Sequence, residues 1–206
     1  PISQTMIEDL RRYWAIHRHP LLLFPNVGRG PCPPADVARR MRHIERVMVG
    51  NEVILRGDLT VDEMIGYLDR VRKAIRKPVS TAEPWHVWLR YPELAKHVDY
   101  ITVHLLPYHE GLPVDKAVEY AFQRYDEVAR AHPRKKIVVG EIGWPSRGPT
   151  IDAAIPSLDN QARFVREFLA HPRTARIDYF LMEAIDQPWK VDVEGWAGPY
   201  WGMFNA

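Results

Sequence analysis

Residues 136–144 read Lys-Ile-Val-Val-Gly-Glu-Ile-Gly-Trp, a β-branched run that closes on a carboxylate and an aromatic. A short continuous apolar run of this kind, bounded by glycine and proline, predicts a strand covered on both faces, as in a parallel sheet. Just upstream, Pro113 suits a first helical turn, and Val118, Ala121, Phe122, Tyr125, Val128 and Ala129 hold one apolar face until His132-Pro133 stops it. A helix feeding a buried strand is half of a parallel β/α unit.

The same alternation extends in both directions. Strands are predicted at Val47–Asn51, Pro78–Thr81, Tyr100–Leu106, Lys136–Glu141 and Tyr179–Glu183. Between the first two, Thr60 can cap a helix with Glu63 at its third position, followed by an apolar face of Val61, Met64, Ile65, Leu68, Val71 and Ile75. Another helix is predicted over Asp159–Ala170, built on Ala162, Val165, Phe168 and Leu169. Five units fill the 160 residues after Arg46 at 32 residues each. Eight at that pitch would need about 256, close to the roughly 250 of a closed barrel. The expected fold is therefore α/β, a (β/α)8 TIM barrel that is incomplete, with its first strands missing or atypical.

The first 46 residues differ from the rest: they hold eight Arg against four acids and six of the 18 prolines, with Pro31, Pro33 and Pro34 beside Gly28 and Gly30. The expected organisation is an irregular amino-terminal segment, 1–46, and a catalytic β/α portion, 47–206. Within the former, Ile7–Ile16 is compatible with a helix and Leu21–Phe24 with a strand. The start at Pro1 reads as a cut edge, with no secretory pattern after it.

Composition narrows the function classes. At 206 residues and 46% hydrophobic content the chain can bury one sizeable core, and its longest aliphatic or aromatic run, Leu21–Phe24, is far too short for a membrane span. The net charge of +2 argues against a nucleic-acid partner. The single cysteine, Cys32, forms no internal disulfide and no thiolate zinc site, and is read as incidental.

A parallel barrel carries its active site at the carboxyl ends of its strands. There the predicted strands close on Asn51-Glu52, on Glu83 with Trp85 and Trp88, on His104 and Tyr108, on Glu141 and Trp144, and on Glu183, Asp186 and Trp189. Carboxylates with aromatics suit glycoside cleavage: one carboxyl protonates the leaving oxygen, a second attacks the sugar carbon, and ring faces hold the pyranoses. Glu52 and Glu141, three strands apart in the predicted order, are the expected pair. The bland alternative makes either a surface acid in a βα loop.

Local sequence decides between these. Val49-Gly50-Asn51-Glu52 and Gly140-Glu141-Ile142-Gly143-Trp144-Pro145-Ser146 resemble the two signature segments of glycoside hydrolase family 17. Val79-Ser80-Thr81-Ala82 and Ala184-Ile185-Asp186-Gln187-Pro188-Trp189-Lys190 are also similar to that family, in its bacterial form. The likeness runs from about Val47 to Phe204. It implies a retaining (β/α)8 enzyme acting on β-1,3-glucan by hydrolysis or glycosyl transfer, without a cofactor or metal. It makes Glu52, after the fourth barrel strand, the general acid/base and Glu141, after the seventh, the nucleophile. The five predicted strands then become the fourth to eighth.

The resemblance also implies substrate contacts. Asn51 would bond substrate or a carboxylate, Tyr108 resembles the family's strand-six tyrosine, and Lys190 matches the lysine closing the eighth-strand segment, with Glu183 and Asp186 beside it. Gln187 stands where the plant enzymes have a glutamate. Trp85, Trp88, Trp144 and Trp189 are candidate sugar platforms, with burial beneath the rim as the alternative; Trp196 and Trp201 are expected to pack. The bacterial look of Thr81–Trp85 and Ile185–Trp189 resembles domains that accompany a membrane glucan synthase. It makes β-glucan transfer or branching, in the periplasm or cell envelope, the competing function. A metalloenzyme using His104, His109 and Glu110 or Glu83 lacks any tight ligand motif, and activity retained in chelator would discard it. A further alternative is an inactive glucan-binding fragment, because an open parallel sheet leaves unpaired edges.

Overall fold

The computed structural model of the chain describes residues 21–23 and 44–204. The helix expected at Ile7–Ile16 and Cys32 lie outside the described residues. Strands β1 (Leu21–Leu23), β2 (Ile44–Asn51), β3 (Val79–Pro84), β4 (Ile101–Leu105), β5 (Ile137–Ile142) and β6 (Asp178–Leu181) follow one another across a single sheet in chain order. Neighbours β1–β2, β2–β3 and β5–β6 pair in parallel. Sequential parallel strands joined by helices are the build of a (β/α)8 barrel, here incomplete. All five predicted strands are present with ends moved by a few residues, and β1 takes up most of the Leu21–Phe24 run. Strand β2 starts at Ile44, so it crosses the expected boundary at Arg46.

By internal contacts the chain divides into two compact units, one running to Thr102 and including Arg134–Lys136, the other holding Val103–Pro133 and the residues from Ile137 on. In the first unit, β2 and β3 are buried along most of their length, as strands covered on both faces must be, and β3 carries Ser80, Thr81 and Glu83 among its buried residues. Their register pairs Val47 with Val79 and Met48 with Ser80, then slips before Asn51 meets Ala82. Such an irregularity bends the strand end and re-aims the side chains that follow.

Helix α1 (Val61–Ala74) begins at the predicted capping box: Glu63 N–H donates to Thr60 Oγ1 at 3.3 Å and Thr60 N–H to Glu63 Oε2 at 2.8 Å. Met64 and Leu68 are its buried residues, at helical spacing on the predicted face. A short helix, α2 (Trp85–Arg90), was not foreseen: Pro84 ends β3 and the chain turns at once into a helical turn that buries Val87 and Trp88.

In the second unit, α3 (Val114–Ala131) ends at His132 as expected and buries Val118, Ala121, Phe122 and Val128. Helix α4 (Leu158–Ala170) is capped by Ser157, whose Oγ accepts from Asn160 N–H at 3.1 Å. Its buried face is Gln161, Phe164 and Phe168. Of the predicted face, Phe168 is buried and Val165 half-buried, but Ala162 and Leu169 are exposed, because the aromatic spacing of Phe164 and Phe168 outweighs the smaller aliphatics. Phe168 stacks on Phe122 at 6.0 Å and on Phe164 at 6.4 Å, which joins α3 to α4. No helix among the described residues is long and apolar enough to cross a membrane.

Candidate active site

In the first unit, Glu52 follows β2 directly. Gly50 takes φ +80°, and Glu52 itself sits at φ +54°, a left-handed conformation that few non-glycine residues adopt. Such a conformation costs energy and persists only where the surrounding structure holds it. Glu52 N–H donates to Ala82 O at 2.8 Å, and Glu52 O accepts from Arg56 N–H at 2.9 Å, so the turn is tied to β3 and closed on itself. The residue is half-buried. Beside it, Asn51 Oδ1 and Thr81 Oγ1 are buried without a hydrogen-bond partner among the described residues. Unsatisfied buried acceptors and hydroxyls are rare in folded proteins and mark where a bound hydroxyl group or water would be held.

The aromatics of this unit part ways. Trp88 is fully buried, and its Nε1–H donates to Thr102 O at 2.9 Å. A ring with no exposed face cannot stack on a sugar, so the platform expectation for Trp88 is corrected: helix α2 turns it into the core. Trp85, three residues earlier, stays half-buried with its edge toward His86 at 5.6 Å. Glu83 is fully buried and accepts from Ile54 N–H at 2.8 Å and Leu55 N–H at 3.2 Å.

In the second unit, Glu141 lies one residue before the end of β5, half-buried. His104, buried on β4, places Nδ1 at 3.5 Å from Glu141 Oε2. That distance gives an ion pair when the ring is protonated. Gly143 has no tolerance for a side chain, since an added Cβ would collide with the Met182 carbonyl oxygen. This close approach is the physical reason for a glycine two residues after Glu141.

Tyr108 and Trp144 are corrected as substrate contacts. Both are fully buried. Tyr108 sits edge-on to Trp144 at 5.9 Å and to Trp201 at 5.8 Å, and its hydroxyl donates to Pro149 O at 2.5 Å. Burial pushes the Tyr108 hydroxyl above the ordinary tyrosine range, which keeps it a donor. Trp144 Nε1–H donates to Ile155 O at 3.1 Å. Trp201 packs as predicted, but Trp196 does not: it is 77% exposed.

The segment after β6 supplies a polar cluster. Glu183 Oε2 accepts from Lys190 Nζ at 2.9 Å and from Gln187 Nε2. Its Oε1 is buried without a partner among the described residues. Asp186 Oδ1 accepts from Gly202 N–H at 2.8 Å, so it braces the chain end of the unit. Trp189 is 62% exposed, with its ring available. Of the proposed metal ligands, His109 lies against the Trp201 ring at 5.5 Å and Glu110 accepts from Tyr120 OH at 3.2 Å.

The sequence reading missed Gln161. Buried on α4, its Nε2 donates to Trp144 O at 3.0 Å and Gly202 O at 3.2 Å, pinning the segment after β5 to the carboxyl-terminal one. A lone amide at the helical spacing of Phe164 and Phe168 was the available signal.

Comparison with known proteins bears on the family and the fold. The model of the BtgE/BtgC glycoside hydrolase domain matches residues 35–202. A glucan 1,3-beta-glucosidase of Schizosaccharomyces pombe is 29% identical over 179 residues, covering 80% of this chain and 55% of that protein. The cell surface mannoprotein MP65 of Candida albicans is 28% identical over 169 residues, covering 79% of this chain and 44% of that protein. The chain thus spans about half the length of these curated relatives. Two structures of Rhizomucor miehei β-1,3-glucanosyltransferase superpose on it. An active-site mutant with laminaritriose gives a TM-score of 0.72 at 25% identity, covering 80% of this chain and 61% of that one. The other, a glycoside hydrolase family 17 enzyme, gives 0.70 at 22% identity, covering 98% and 68%. With most of its length matched by that model, and with the Gly50-Asn51-Glu52 and Gly140–Ser146 segments seated at the ends of β2 and β5, the chain belongs to the BtgE/BtgC glycoside hydrolase domain family.

Proposed function

We propose that the chain cleaves β-1,3-glucan by a retaining double displacement, with Glu52 as general acid/base and Glu141 as nucleophile, in a catalytic portion spanning 47–206. The observation that carries the reading is the conformation of Glu52, a carboxylate held in left-handed backbone geometry immediately after a parallel strand. In the first step Glu52, protonated, donates to the departing glycosidic oxygen while ionised Glu141 attacks the anomeric carbon and forms a glycosyl ester. In the second, Glu52 takes a proton from an incoming hydroxyl, whose oxygen displaces Glu141 and restores the β-anomer. The mechanism requires carboxyl groups about 5–5.5 Å apart; about 6.5–9.5 Å would instead admit a water and invert.

Asn51, Glu183, Asp186 and Lys190 are proposed to meet sugar hydroxyls, and Trp85 and Trp189 to stack on the rings. Support comes from Asn51 Oδ1 and Glu183 Oε1, which are buried without a hydrogen-bond partner among the described residues, and from the exposed Trp189 ring. A second reading makes a sugar hydroxyl the acceptor, giving glucanosyl transfer. It is favoured by the 25% identity to the Rhizomucor miehei glucanosyltransferase. On either reading we place the protein at the cell envelope or wall, in line with a cell surface relative, and read Thr81–Trp85 and Ile185–Trp189 as the bacterial form that works beside a membrane glucan synthase.

The test is a reduced β-1,3-gluco-oligosaccharide, with products followed by mass and the new anomer by proton NMR. Shorter β-products identify a retaining hydrolase and longer ones a transferase; α-products refute retention. Glu141→Gln is expected to abolish turnover in a folded protein, and Glu52→Gln to slow it about 100-fold or more. Unchanged turnover in either variant would refute the assignment.

A further inference from the structure

Glu83 is the fifth of six residues in β3 and is fully buried. Each of its oxygens takes one backbone amide from the turn that follows the proposed acid/base: Oε1 from Ile54 at 2.8 Å and Oε2 from Leu55 at 3.2 Å. On the other side of the same turn, Glu52 N–H is bonded to Ala82 O at 2.8 Å. The end of β3 therefore grips the chain both at Glu52 and two to three residues beyond it.

A carboxylate inside a core is costly unless hydrogen bonds satisfy it, and simple packing of β3 would be served by an apolar side chain. What a glutamate adds here is two acceptors on one rigid group. Glutamine has a single acceptor, so its NH2 would face one of the two N–H donors; aspartate is one methylene too short to span the same gap. A left-handed backbone at a residue that is not glycine persists only where its surroundings over-determine it. The Glu52 φ of +54° has that support from Ala82 and Glu83 together.

We infer that Glu83 is a positioning residue: its carboxylate, by holding the Ile54 and Leu55 amides, fixes the turn that aims Glu52 at the glycosidic oxygen. The inference rests on the reading of Glu52 as acid/base. Its chemical consequence is selective. General acid catalysis depends on hydrogen-bond reach to the leaving oxygen, and an error on the order of 1 Å can cost about 100-fold. A leaving group that departs as a stable anion needs no proton and escapes this loss.

The test compares Glu83→Gln with Glu52→Gln and the unsubstituted protein. Turnover of a reduced laminari-oligosaccharide and the burst of phenolate from a dinitrophenyl β-laminaribioside, which reports the first step alone, are measured for each. Glu83→Gln is expected to slow the oligosaccharide reaction roughly 10- to 100-fold and to leave the burst rate within about threefold. Equal losses on both substrates, or none on either, overturn the inference. If Glu52→Gln discriminates between leaving groups and Glu83→Gln does not, the inference alone falls; if Glu52→Gln loses nothing, the acid/base reading fails and takes it along. A second measurement does not depend on the variant folding. In the unsubstituted protein the Ile54 and Leu55 amides are expected to be protected from hydrogen exchange, although Leu55 is 46% exposed. Exchange at the rate of a free surface amide refutes the contact.

Discussion

Replacing Trp88 with phenylalanine separates a core residue from a sugar platform. The ring is fully buried and its indole N–H is bonded to Thr102 O at 2.9 Å. Phenylalanine cannot donate, so the buried carbonyl loses this bond, at about 1–3 kcal/mol. The smaller ring leaves a void worth about 1 kcal/mol more, on the scale of a single deleted buried methylene or two. The sum, about 2–4 kcal/mol, is a large share of the roughly 5–15 kcal/mol available to a domain. At about 2–4 °C per kcal/mol for a chain of this size it lowers Tm by about 4–16 °C. Urea or thermal unfolding followed by circular dichroism reads this directly, and laminarin KM is measured on the folded variant. Trp88→Phe is expected to lose stability with KM unchanged, whereas Trp189→Ala, at a 62% exposed position, should stay within about 0.5 kcal/mol of the parent and raise KM. A stable Trp88→Phe variant with a raised KM would refute the burial argument.

Further outcomes follow from single contacts. Thr60→Ala removes the oxygen that accepts from Glu63 N–H and is expected to cost about 1 kcal/mol in urea unfolding; a loss below about 0.3 kcal/mol would mean that the cap is not made in solution. Gly143→Ala forces a methyl group into the Met182 carbonyl and should cost at least about 3 kcal/mol or prevent folding; a soluble variant with the parental Tm contradicts the close approach. Asp99 tests electrostatics. Burial alone would raise its carboxyl, but the Arg72 guanidinium at 2.7 Å and the Val79 N–H at 2.8 Å outweigh it and hold the group below the usual range. Its folded pKa lies below the unfolded value near 3.9, so its stabilisation is complete above about pH 4 and is lost as pH falls through the folded pKa. Asp99→Asn is expected to lose about 1 kcal/mol at pH 7, the group being about one-third exposed, and to flatten the acid limb of the stability curve. An acid limb identical to the parent's rules out this contribution.

The sequence by itself determined the periodic elements. Apolar period and cap chemistry are local, so five strands, the Thr60 box and the His132-Pro133 stop were legible within a few residues of their observed places. The same local logic placed Glu52 and Glu141 at strand ends, because a parallel strand exposes its function where it stops being apolar. Tertiary structure decided which side chains face out of that rim. Trp88, Tyr108 and Trp144 have the residue types of sugar platforms yet are buried, since helix α2 turns Trp88 inward, the Trp201 ring packs on Tyr108, and Tyr108 and Phe164 pack on Trp144. Gln161 and Glu83 became meaningful only when carbonyls and amides distant in sequence came within hydrogen-bond reach. The division is physical: periodicity and caps act over a turn or two of chain, whereas which polar group is buried, and against what, depends on the packing of segments tens of residues apart.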